Sequence, residues 1–127
     1  LFSGDTLMSL PYIVDGDIDV MTDSMNRIKE MGLENIVQGH GDIILRGEVE
    51  GIIDGNLDYL NEIRKVVKKA NRRKYPLDLL DEVSVEDCGK HRIILNGLAE
   101  DLHKRNMISL YKQMYDEEPL GSELYYE

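Results

Sequence analysis

Leu1-Phe2-Ser3-Gly4-Asp5-Thr6-Leu7 opens the chain, and Ile36-Val37-Gln38-Gly39-His40-Gly41 follows it after one amphipathic stretch. How these two segments are read decides the fold. In each, a short apolar or β-prone run stops at a glycine, and beside that glycine stands a ligand-type side chain, the carboxylate of Asp5 or the imidazole of His40. Polar turns at the carboxyl ends of strands are where α/β proteins place their chemistry. The opening Leu1-Phe2 reads as the end of a buried strand, so the expectation is a piece of something longer.

Between and beyond these segments the pattern is mostly helical. Residues 7–17, with Pro11, Tyr12, Gly16 and two aspartates, show neither helical nor strand period and read as a surface loop. Ile18, Met21, Met25, Ile28 and Met31 recur at intervals of three and four, with Gly32 beyond the last turn, which predicts a helix over 18–31. Val49, Ile52, Ile53, Leu57, Leu60, Ile63, Val67 and Ala70 predict a long helix over 48–71, acidic at its start and basic at its end, stopped by Tyr75-Pro76. Ser84-Val85-Glu86-Asp87 resembles a capping box ahead of Cys88-Gly89. A last helix over 98–115 is expected to turn Leu98, Leu102, Ile108, Tyr111 and Tyr115 to the core, with an acidic tail from Glu117. The order predicts an α/β domain over 1–75 and a helical extension with its tail over 76–127.

Composition narrows the function. The 127 residues are enough for one core, and 15 basic against 25 acidic side chains give a formal net charge of −10. Such a surface repels phosphate backbones and anionic lipid, so neither nucleic acid nor membrane is expected as a partner. A single cysteine excludes an internal disulfide and a cysteine-based zinc cluster within the chain. No apolar run approaches the about 20 residues of a bilayer span, and a cytoplasmic location is expected.

The ordered set Leu1-Phe2-Ser3-Gly4-Asp5-Thr6-Leu7, helix, Ile36-Val37-Gln38-Gly39-His40-Gly41 resembles the carboxy-terminal half of the metallo-β-lactamase superfamily. That resemblance implies half of a four-layer αββα sandwich followed by a helical extension. It implies Asp5 as the carboxylate bridging two metal ions and His40 as a ligand of the second, with zinc as the metal and iron or manganese as substitutes. The His-x-His-x-Asp-His signature of the family is absent, since only His40, His91 and His103 occur. A catalytic zinc ion takes three protein ligands and an open position, so this chain alone supplies an incomplete site. The implied partner is an amino-terminal half of the same domain, or a second copy covering the sheet.

With the site complete, the implied chemistry is metal-dependent hydrolysis of an ester, thioester, lactone or lactam, using water activated between ions about 3.5–4 Å apart. Tyr12 and Ile13, in the loop leaving Asp5, are candidates for the substrate mouth, although an ordinary loop role has equal weight. Gly39-His40-Gly41-Asp42 differs from the Gly-His-Glu-Tyr of glyoxalase II enzymes. The rival reading is a non-catalytic acidic α/β interaction module in which Asp5 and His40 are structural. His91 between two cations reads as solvated, and His103 as a surface or interhelical hydrogen-bonding residue. Cys88 lacks a cationic neighbour to make a thiolate. The basic cluster from Lys65 to Lys74 reads as a solvated face complementing a helix dipole.

Overall fold

A computed structural model describes residues 2–4, 10–14, 16–32, 37–38, 48–90 and 98–115. In chain order these form β1 (Phe2–Gly4), α1 (Ile18–Glu30), β2 (Val37–Gln38), α2 (Val49–Ala70), α3 (Pro76–Glu82), a 3-10 turn (Glu86–Cys88) and α4 (Ala99–Tyr115). The long helix α2 is central and packs against α1, α3 and α4. Its buried residues Val49, Ile53, Asn56, Tyr59, Leu60, Ile63, Val67 and Ala70 keep the three-and-four spacing of one face.

Local chemistry sets each helix end. Asp17 is extended, and its Oδ1 accepts from the N–H of Asp19 at 2.8 Å and of Val20 at 3.2 Å, starting α1. Gly32 takes a φ of +63° just past its end, where a side chain would be strained. Met25 is fully buried but Met31, beyond the last turn, is 58% exposed, so the apolar face of α1 ends at Ile28. Pro76 begins α3 at a position where its missing N–H costs nothing. The Lys104 ammonium of α4 closes the other end of α3, donating to the carbonyls of Leu80 at 3.3 Å, Asp81 and Val83 at 3.4 Å. Ser84 and Asp87 exchange reciprocal bonds around the 3-10 turn, Asp87 Oδ2 accepting from Ser84 N–H at 3.0 Å and Ser84 Oγ from Asp87 N–H at 3.3 Å. The Ser84 N–H bond holds the Asp87 carboxyl below its ordinary range.

The predicted half of an αββα sandwich is overturned. Among the described residues the strand content is β1 and β2, three and two residues long, paired in parallel with Phe2 opposite Val37 and Gly4 opposite Gln38. Strands typically run about 5–6 residues and sheets about 4–6 strands, so this ladder is no sandwich layer. The described body is instead a small four-helix protein. The physical reason is that the apolar helix faces, expected to cover a sheet, bury one another: Ile28, Ile53, Leu60, Leu80, Met107 and Tyr111 share a single core cluster. That cluster joins residues on both sides of position 75.

The segment expected to be a surface loop is also part of the core. Leu10 and Ile13 are fully buried, although residues 10–14 belong to no helix or strand. One stripe of α4 bonds the backbone of Pro11, Ile13, Val14 and Gly16. Asn106 Oδ1 accepts from Ile13 N–H at 2.9 Å, and Asn106 Nδ2 donates to the Pro11 carbonyl at 2.6 Å. Ser109 Oγ donates to the Val14 carbonyl at 3.2 Å, and Gln113 Nε2 reaches the carbonyls of Ile13 at 3.2 Å and Gly16 at 2.8 Å. Truncating Asn106 strands a buried donor and a buried acceptor, so Asn106→Ala is expected to cost about 2–4 kcal/mol. Ser109→Ala, which removes one partly buried bond to Val14 and one exposed bond from Gln113, should cost about 0.5–1.5 kcal/mol. Urea unfolding checks both, and equal effects would contradict the buried clamp.

Candidate functional site

Asp5 and His40, the two candidate metal ligands, lie outside the described residues, as do His91 and the Gly39-His40-Gly41-Asp42 turn. What is described is the ladder that precedes them. β1 and β2 run parallel with Gly4 opposite Gln38, and Asp5 follows Gly4 directly while His40 comes two residues after Gln38. The helix between the strands is tied to α2 by ion pairs, Lys29 with Asp54 at 2.8 Å and Glu50 at 3.8 Å, and Arg64 with Asp19 at 2.8 Å. The Asp54 bond raises the Lys29 pKa.

The two candidates for a substrate mouth part company. Ile13 is fully buried, its backbone held by Asn106 and Gln113, so its side chain is committed to the core. Tyr12 beside it is half-buried. Among the described residues no group of three His, Cys, Asp or Glu could hold a metal ion.

The described polar residues that do converge form a buried network at the centre of the molecule. His103 and Asn106 of α4 meet Tyr59 of α2, and His103 and Asn106 have no exposed surface. His103 Nε2 lies 3.0 Å from the Val83 carbonyl, which only accepts, so Nε2 carries the proton. Nδ1 of the neutral ring is then the acceptor for the Tyr59 hydroxyl at 2.9 Å. The Tyr59 oxygen in turn accepts from Asn106 Nδ2 at 3.1 Å. Every donor finds an acceptor, and the chain of bonds runs without a charge from the end of α3 to the loop at Pro11. Desolvation lowers the His103 pKa, against the Val83 carbonyl and the Glu100 carboxylate, which act to raise it. Desolvation also raises that of Tyr59. The sequence gives little sign of this cluster, because a histidine and an asparagine interrupt the apolar period of α4 rather than extending it.

Two further side chains are set aside by their surroundings. Cys88 is buried and its thiol is pushed up to about 12, first by desolvation and then by the carboxylates of Glu62, Asp87 and Glu100. It is a core thiol, not a nucleophile. The half-buried Lys90 ammonium donates to Asn56 Oδ1 at 2.6 Å, and desolvation lowers its pKa.

No protein-family model matches the chain, and neither the curated proteins nor the solved structures contain a match. The metallo-β-lactamase resemblance is therefore corrected on two grounds, the helical body and the missing family match.

The network has a pH consequence. A histidine with a folded pKa below its ordinary 6.5 leaves the unfolded chain to bind the proton first as pH falls. Its contribution to stability is complete above about 6.5 and declines as pH drops toward the lowered folded value. Melting temperature should fall between pH 7 and 5, more steeply in the native chain than in His103→Gln. Imidazole nitrogen NMR should find the Nε2–H tautomer at pH 7; a titration midpoint above 6.5 in the folded protein would contradict the bonding pattern.

Proposed function

We propose that Asp5 and His40 act as ligands in a metal-dependent hydrolytic centre for a small ester, thioester, lactone or lactam. The single observation that carries this reading is the parallel pairing of β1 with β2, Gly4 opposite Gln38, which brings two strand ends side by side just ahead of the two ligand-type residues. A carboxylate oxygen and an imidazole nitrogen suit zinc, and iron or manganese accept the same donors. Such a metal, when bound, supplies a water acidified toward neutral pH.

The chain's own contribution is positional. Asp5 offers a carboxyl oxygen and His40 an imidazole nitrogen, while the segments that follow or separate the strands are held to α2 and α4. Two donors do not complete a catalytic zinc site. The remaining ligands belong to a partner, either an amino-terminal half of the same domain or a second copy of the chain. A small-molecule substrate, no nucleic acid or membrane partner and a cytoplasmic location complete the proposal. No helix among the described residues is long and apolar enough to cross a membrane.

A non-catalytic acidic interaction module, with Asp5 and His40 structural, is the competing reading. The closure of the Tyr59–His103–Asn106 network on itself favours it for the helical body, since those polar groups are spent on packing. Metal analysis of the natural protein separates the two. Asp5→Ala and His40→Ala should each weaken zinc binding by at least about 10–100-fold and abolish hydrolysis of a thioester and lactone panel. A natural protein without transition metal, or an Asp5→Ala variant with unchanged hydrolysis, would leave the interaction module standing.

A further inference from the structure

Residues 64–77 hold seven lysines and arginines and no carboxylate, in a chain whose net charge is −10. Arg64 and Lys65 are paired with Asp19 and Glu62. Lys68, Lys69, Arg72, Arg73 and Lys74 are all exposed, and none is in an ion pair among the described residues; Lys74 lies over the ring of Tyr75, 5.5 Å from its centre. The dipole of α2 places about half a negative charge at its end, which offsets a small part of five positive ones.

The cluster stands on backbone that is held at both ends. Asn71 N–H donates to the Val67 carbonyl at 3.0 Å, Arg72 N–H to that of Lys69 at 3.2 Å and Arg73 N–H to that of Ala70 at 2.9 Å, so turns continue past the end of α2. The Tyr111 hydroxyl ties this turn to α4 by donating to Asn71 Oδ1 at 3.1 Å, and the buried Pro76 and Leu77 fix the chain where α3 begins. Like charges four residues apart repel on a helix, and Lys68 with Arg72 and Lys69 with Arg73 have that spacing. A fixed backbone thus keeps together cations whose repulsion a bound anion relieves. We propose that this end of α2 is a docking surface for a short acidic segment of another protein, whose carboxylates pair with Lys68, Lys69, Arg72, Arg73 and Lys74.

Charge and size favour this occupant over others. Two helical steps and four extended ones bound the distance from Lys68 to Lys74 at about 17 Å, the length of about five extended residues. Exposed carboxylates flank the run on both sides, Asp58 before it and Asp78, Asp81 and Glu82 after it. Without the five cations, 10 basic side chains remain against 25 acidic ones. A nucleic-acid strand or an anionic bilayer extends past the patch and meets that acidic surround, whereas a short segment ends within it. Arginine presents paired N–H groups to a carboxylate in a flat, two-bond geometry, and Tyr75, 50% exposed, adds apolar surface at the rim.

Fluorescence anisotropy of labelled hexaglutamate titrated with the full chain, beside labelled triglutamate and dodecaglutamate, measures the docking. At about 0.01 M salt, where screening extends about 30 Å, hexaglutamate should bind at least about tenfold more tightly than triglutamate and within about twofold of dodecaglutamate, and at about 1 M salt binding should be lost. Arg72→Gln/Arg73→Gln should weaken it at least about tenfold, whereas Arg27→Gln, an exposed cation of α1, should change it less than about twofold. Lys68→Gln/Lys69→Gln, at exposed helical positions, gives the same loss should the first double variant fail to fold. Affinity that keeps climbing with peptide length, or indifference to both double variants, overturns the proposal. Tighter binding of an oligothymidylate of about 20 nucleotides, or of phosphatidylserine vesicles, than of hexaglutamate overturns it in favour of those surfaces. Self-association of the chain at low salt that both double variants abolish assigns the patch to a second copy and likewise overturns it.

Discussion

Leu10, Pro11 and Ile13 are buried without a helix or strand of their own, and a buried peptide group must find a partner or cost free energy comparable to a lost hydrogen bond. Asn106 meets that requirement more than 90 positions away in the chain, presenting its carbonyl to Ile13 N–H and its amide to the Pro11 carbonyl. Much of the architecture follows from this pairing. It lets Leu10 and Ile13 enter the core, fixes the approach to Asp17 where α1 begins, and sets the rotation of α4 so that Ser109 and Gln113 lie along the same segment.

The same asparagine has a second obligation that makes the centre of the molecule directional. Its Nδ2 also donates to Tyr59, whose own hydroxyl proton is then available only to His103 Nδ1. The Val83 carbonyl takes the remaining imidazole proton. A protonated His103 would present two donors, reverse the bond to Tyr59 and leave that hydroxyl proton without its acceptor. Neutrality is thus a packing condition, enforced by desolvation even though the carboxylates of Glu100 and Asp87 lie close enough to favour charge and Lys104 to oppose it.

Helices were legible where the signal is local. The period through Ile18, Met25 and Ile28, the run through Val49 to Ala70 and the Ser84–Asp87 box each correspond to an observed element. The faces were less so. Leu98, just ahead of α4, is 57% exposed, whereas Ala99, His103, Asn106 and Leu110 point inward, because a histidine and an asparagine occupy positions that an apolar count skips. Residues 7–17 read as surface because proline, glycine and aspartate are turn formers, and nothing local shows that side chains of α4 would satisfy that backbone. The sandwich inference failed for a related reason. Two glycine-flanked runs give the ends of strands, whereas a sheet requires partners that a short run does not specify. Of the candidate site, the two short runs preceding Asp5 and His40 were legible but their pairing was not; the residues themselves lie outside the described part, and Ile13 proved to be core.

The two connections that bear on the strand ends are anchored with unequal strength. The crossover helix α1 is held partly by Lys29 with Asp54 and Arg64 with Asp19, partly exposed pairs of the kind that contribute about 0–1 kcal/mol and weaken with salt. The described segment that begins at Leu10 is clamped at Pro11 and Ile13 by buried bonds that salt does not screen. The backbone of Pro11, Ile13 and Val14 is therefore held by α4, a helix nearly a hundred residues downstream. The segment through Leu10 and Ile13 and the helical body are thereby joined in one core.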